Sequence, residues 1–158
     1  DGPGRQMNKA VERFVVISDH ISELAILSGE PIGLMMDPPS WRENPLDDGW
    51  RYSWQQSKTA QGVQVWEELT DVPPIELDPN IALQIFIDDV EWKYQDAPKI
   101  RVPLLAFYPS GEVSRFEMVF THEDLPGELQ TVTVDDWGRV IWKERQAEED
   151  ERKSEQGL

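Results

Sequence analysis

Arg5-Gln6-Met7-Asn8-Lys9-Ala10-Val11-Glu12-Arg13-Phe14-Val15-Val16-Ile17-Ser18-Asp19-His20-Ile21-Ser22-Glu23-Leu24-Ala25-Ile26-Leu27 is the stretch whose reading decides the fold. Met7, Ala10, Val11, Phe14, Ile17, Ile21, Leu24 and Ala25 recur three and four apart in it. That spacing lines them along one face of a helix with a period near 3.6. About 23 residues at roughly 1.5 Å rise make a rod of ~35 Å. Ser28-Gly29 ends it, because glycine readily takes the left-handed backbone that a helix C-terminus often needs. Val15 and Val16 lie off the stripe, so Phe14-Val15-Val16-Ile17 is an unbroken apolar run. Two readings of that excess stay open. It is a wide buried face, or it is a surface that packs against neighbouring helices, since apolar area is costly to leave exposed.

From Glu30 to Trp142 the grammar changes to short alternating runs broken by Pro, Gly and Asp, which predicts strands. Pro31–Met36 reads as a first strand, halted by Asp37-Pro38-Pro39. Residues 37–48 form a polar loop holding Trp41, and 49–54 form a strand with its aromatics on one face. Residues 57–61 read as linker, and Val63-Gln64-Val65-Trp66 alternates again. Pro73-Pro74 confines Ile75 and Leu77 to a short edge segment. Residues 81–87, the most hydrophobic run, are expected to form a central strand that turns at Asp88-Asp89 into 90–94. Val102–Tyr108 and Val113–Phe120 flank Pro109-Ser110-Gly111-Glu112 as a hairpin. Residues 131–134 and 139–142 flank a second turn at Asp135-Asp136-Trp137-Gly138. Eight or nine such strands argue two packed antiparallel sheets.

The expected fold is therefore α+β, mainly β: a long N-terminal amphipathic helix packed on a two-sheet antiparallel, sandwich-like domain. Its expected organisation is a single domain. Residues 1–4 are a linker or a remnant of a longer parent, 5–28 a stem, 29–142 a head, and 143–158 a charged tail that is frayed or solvated helix.

Composition restricts function. The chain of 158 residues carries 31 acidic against 15 basic residues, a formal net charge of −16 that repels phosphate backbones and anionic lipid. Nucleic acid is accordingly not an expected partner. Cysteine is absent, which removes both disulfides and thiol chemistry. No apolar run reaches the ~20 residues of a membrane-spanning helix.

A search for chemistry yields no catalytic residue, metal site or cofactor. His20 would need a second helical ligand three or four positions on, where Glu23 and Leu24 stand; one His and one Glu make an incomplete zinc set. His122 opens His122-Glu123-Asp124, read as a loop. No Gly-x-Ser-x-Gly elbow occurs, and Gly2-Pro3-Gly4 lacks the lysine of a phosphate loop. The pairs Asp47-Asp48, Glu67-Glu68, Asp88-Asp89 and Asp135-Asp136 suit calcium or glycoside chemistry in principle, but acids cluster in turns by composition alone. Of the seven Trp, Trp50, Trp54, Trp66 and Trp92 fall at strand positions suited to core packing, which leaves Trp41 as the exposed candidate. The candidate partner interface is Met7, Val11, Phe14, Val15, Val16 and Trp41.

The stretch Ser22-Glu23-Leu24-Ala25-Ile26-Leu27-Ser28-Gly29-Glu30-Pro31-Ile32-Gly33-Leu34 resembles the Glu-x-Ala-Ile-x-x-Gly-x-Pro-Val-Gly-Leu segment of the H-type minor pseudopilins of the type II secretion system (the GspH family). Related minor type IV pilins share that segment. Gly49-Trp50-Arg51-Tyr52, Phe107-Tyr108-Pro109-Ser110-Gly111 and Val134-Asp135-Asp136-Trp137-Gly138-Arg139-Val140 match the same pattern in order and spacing, so the resemblance covers roughly residues 5–142. It implies a pilin-like fold and a non-enzymatic subunit near the tip of a periplasmic pseudopilus. In that place it joins the I-, J- and K-type minor pseudopilins to the major G-type pseudopilin and aids assembly for export. The family's leader, methylated N-terminal Phe and apolar half-helix are not in this sequence. The resemblance thus implies the periplasmic part of a single-pass inner-membrane protein, touching membrane only through that segment. Head contacts stay open, with loop 37–48 and turn 109–112 as candidates.

Two other functions compete. A minor type IV pilin acting in motility or DNA uptake would want a basic head, and this one is acidic. A secreted carbohydrate-binding β-sandwich would use Trp41 and a carboxylate pair.

Overall fold

The computed structural model describes residues 2–96 and 101–157; residues 1 and 158, the outer ends of the expected linker and tail, lie outside them. Helix α1 runs Pro3–Ser28, two residues ahead of the expected start. Pro3 sits at the first helical positions, where its fixed φ suits the helix and its missing N–H would have had no partner. Gly29 ends the helix at φ 71°, its N–H donating to the Ala25 carbonyl at 3.0 Å.

Ten strands follow. They are β1 (Ile32–Asp37), β2 (Arg51–Ala60), β3 (Val63–Glu68), β4 (Ile75–Glu76), β5 (Ile81–Ile87), β6 (Val90–Glu91), β7 (Leu105–Phe107), β8 (Phe116–His122), β9 (Gln130–Val134) and β10 (Val140–Trp142). Helix α2 (Lys143–Glu155) closes the described chain. One sheet has the order β3-β2-β1-β7, with β4 also on β2; the other has the order β10-β9-β8-β5-β6. Every pairing is antiparallel, as expected for a two-layer body.

Alternation along the strands decides what faces the core. Phe116, Met118, Phe120 and His122 of β8 are buried, and so are Ile81, Leu83 and Ile85 of β5 in register with them. From the other sheet come Ile32, Leu34, Tyr52, Trp54 and Phe107. Helix α1 lies across both sheets, and Phe14 joins them. Its ring meets Tyr52 and Trp54 of β2 at 5.2 and 6.3 Å, and Phe116 and Phe120 of β8 at 6.3 and 6.4 Å. The buried face is Met7, Ala10, Val11, Phe14, Ser18, Ile21 and Ala25, so its centre passes through Ser18, with Ile17 and Leu24 on the flanks. A turn of 3.6 residues after Phe14 falls between positions 17 and 18, and the smaller side chain takes the closer approach.

Several strand expectations change. Residues 57–61 are not linker, because β2 runs on to Ala60 and turns at Gln61-Gly62 with φ 52° and 78°, the mirror-image turn that matches strand twist. Asp88-Asp89 makes a like turn at φ 49° and 66°, but β6 stops at Glu91 and a 3-10 turn spans Tyr94–Asp96. Strand β5 is not central; it sits between β8 and the two-residue β6, and Ala82 and Gln84 face solvent. The expected hairpin through 109–112 closes only locally, with Phe107 opposite Val113 and the Tyr108 N–H donating to Glu112 at 2.8 Å. Beyond it the chain leaves for the second sheet, so β7 and β8 are never partners. His122 is no loop residue: it ends β8 at 3% exposure.

Candidate functional site

Three of the six interface candidates have no surface to offer. Met7, Val11 and Phe14 are at most 1% exposed, spent on seating α1 against the sheets. Val15 is half-buried and Val16 is 60% exposed. They line a groove of about 240 Å³ with Glu12, Ile141, Trp142 and Arg145. Its far wall is held by α2. Arg145 lies over the Trp142 ring at 3.8 Å and reaches Glu12 at 3.8 Å. Glu144 accepts the Thr131 N–H at 2.5 Å, and the Trp142 indole donates to Gln130 at 2.6 Å. The polar tail is thus a helix docked on β9 and β10 by a few charged contacts, with none of its own residues buried.

Trp41 is not the exposed aromatic. A 3-10 turn over Pro39–Trp41 tips it edge-on to Trp92 at 5.6 Å and Tyr94 at 6.4 Å, in a cluster completed by Trp50. Beside it lies a polar depression of about 480 Å³. There Arg42 donates to the Gly49 carbonyl and to both oxygens of Glu76 at 2.7–2.9 Å, with Asp47 at 3.3 Å. The Glu76 contact raises the Arg42 pKa, and nearby acids add to it. Asp37, 5% exposed, accepts from Arg51 at 3.2 Å and from Arg101. The arginines here are committed to carboxylates of the same chain, so the arrangement ties β1, β2 and β4 together.

The histidines and acid pairs are placed apart. His122 Nδ1 accepts the Asp124 N–H at 3.1 Å, which puts the ring hydrogen on Nε2, facing Gln6 Oε1 at 2.9 Å. His20 is exposed on α1. Glu67 pairs with Lys58 at 3.2 Å across the β2–β3 hairpin. Among the described residues no group of three or more His, Cys, Asp or Glu is placed to hold a metal ion. No helix of the described residues is long and apolar enough to cross a membrane.

Trp137 is the aromatic that sequence reasoning missed. It is 88% exposed, at the tip of the 135–138 turn. The signal was in the sequence, since a Trp flanked by Asp-Asp and Gly sits where no strand buries it.

No family model matches the chain. It is similar to the Type II secretion system protein H of Aeromonas hydrophila, at 23% identity over 92% of this chain and 79% of that protein. Its fold is that of the minor pseudopilin EpsH from the type 2 secretion system of Vibrio cholerae, in two solved structures. Both have TM-score 0.63 and 20% identity, covering 87% of this chain and 94% and 93% of theirs. The resemblance read from the helix end and the three head motifs is the one these comparisons return.

Proposed function

We propose that this chain is a minor pseudopilin of the type II secretion system, a non-enzymatic filament subunit whose helix packs among other helices while its β head meets neighbours. The observation that carries the reading is a single long helix seated by its apolar stripe on two antiparallel sheets, in a chain similar over 92% of its length to a type II secretion system protein H. The uncovered Val16 and half-covered Val15 supply the helix surface such packing uses. In this reading the partners are the I-, J- and K-type minor pseudopilins and the major G-type pseudopilin. The position is near the filament tip, and the location is the periplasmic side of the inner membrane, where the parent protein is anchored.

Titration of the purified domain with the soluble domains of those four partners, singly and mixed, tests it. Binding to at least one is expected; no binding to any of them, alone or together, overturns it. The acid surface disfavours DNA capture by a related type IV pilin, and a robust mobility shift at low salt would reverse that judgement.

A further inference from the structure

The C-terminal half of α1, the 109–113 turn and the 135–139 turn enclose a groove of about 360 Å³ on the other side of Asp19 from Val16. Its buried lining is Ser18, Phe107 and Val140, and its open rim carries Ile26 and Trp137, 52% and 88% exposed. Trp137 is held out by a fixed turn. Asp135 Oδ1 accepts the N–H groups of Trp137 and Arg139, both at 2.9 Å, and the Asp135 N–H donates to the Arg139 carbonyl at 2.8 Å. An indole presented on a preorganised turn loses little freedom when a partner covers it, and Trp is enriched among residues that dominate interfaces.

Two further features point to an occupant. Ser18 Oγ is fully buried on this groove and has no hydrogen-bond partner. A buried hydroxyl left so is normally satisfied by something. The charges at the rim are Asp19, Glu23 and Arg139, two acids against one base, and α1 adds no base in its last turn. Partial burial raises the Asp19 pKa, Arg139 pulls it down, and Glu23 adds to the rise. A second copy of this chain is a poor occupant, because each copy carries a net charge of −16.

We propose that this groove receives a helix of a neighbouring, different subunit, one that is apolar where it meets Trp137 and Ile26 and carries Lys or Arg opposite Asp19 and Glu23. The inference rests on the filament-subunit reading above and names the surface through which it works.

The test uses the whole domain with Trp137→Ala, Glu23→Lys, and Val90→Ala as a control on the β5–β6 hairpin, titrated with the same four soluble domains and checked for self-association by sedimentation. One partner domain should bind. Trp137→Ala and Glu23→Lys should each weaken that binding by about tenfold or more, as interface anchors do. Val90→Ala should leave it unchanged, and a reversed charge on the partner's facing Lys or Arg should restore the Glu23→Lys variant. Wild-type binding undiminished in both variants sinks the groove and leaves the filament reading standing. No binding by wild type sinks both. Self-association that Trp137→Ala abolishes would overturn the choice of occupant.

Discussion

Phe14 of α1 stands edge-on to Tyr52 of β2, ring centroids 5.2 Å apart and planes at 78°. The contact ties the helix to the sheet that holds β1, the strand that follows it in sequence, and β2. Because the same ring also reaches Phe116 and Phe120, truncating it opens a cavity between all three layers. Phe14→Ala should therefore lower unfolding stability by about 3–5 kcal/mol in a urea titration. Val16→Ala, on the outward face, should stay within about 0.5 kcal/mol. Equal costs at the two positions would mean that α1 is not seated as described.

Tyr52 brings a second consequence. Its hydroxyl is buried without a hydrogen-bond partner, and burial pushes the phenol well above its ordinary value, slightly opposed by Arg13. The native state then keeps a proton that the unfolded chain releases above about pH 10. Stability should fall with rising pH there, since the unfolded state binds fewer protons. Tyr52→Phe should remove that part of the alkaline loss while costing nothing at pH 7, because it deletes an unsatisfied group. Absorbance titration supplies the check. Of three tyrosines, one should ionise only as the protein unfolds.

Gly33 lies on β1 beneath Pro103 and Trp66. A Cβ there would overlap the Pro103 ring and sit 3.2 Å from the indole. Gly33→Ala should destabilise by about 1–3 kcal/mol, the range for overpacking, read as a shift of the thermal midpoint. Gly62→Ala would be strained for a different reason, its positive φ, with open space around it. Relief of the Gly33→Ala defect by Pro103→Ala, and not of the Gly62→Ala defect, would separate the two causes.

Arg42 is mostly buried, and it holds Gly49 on one side and Glu76 on the other. Arg42→Ala should cost about 1–3 kcal/mol through the lost charge-assisted bonds to the Gly49 carbonyl and Glu76. Arg42→Lys should recover only part, since an ammonium cannot make the forked contact. Denaturation of the three proteins side by side gives the order; Lys equal to Arg would reduce the contact to plain charge.

The four motifs that carried the resemblance show how much was legible. In the helix-end motif, Gly29 reads as a terminator and is one, because left-handed backbone is a local requirement. Gly33 in the same motif gave no local reason for itself; the reason is Pro103, seventy positions on. The Pro109-Ser110-Gly111 turn was correctly placed, but not the parting of its strands to separate sheets, since turn chemistry fixes a local reversal and not the sheet that each arm joins. Likewise spacing alone puts Val15 and Val16 off the buried stripe, whereas the exposure of Trp137 rather than Trp41 depends on which loop a distant aromatic cluster covers.

Periodicity and punctuation by themselves determined one long helix, a β body and the face of the helix that is buried, because those follow from repeat lengths within a few residues. Only the tertiary structure decided that Phe14 joins two sheets, that the arginines close on their own carboxylates, and that one indole is left outside. Each of those depends on surfaces that residues far apart in sequence make together, and burial is a property of such surfaces rather than of any single segment.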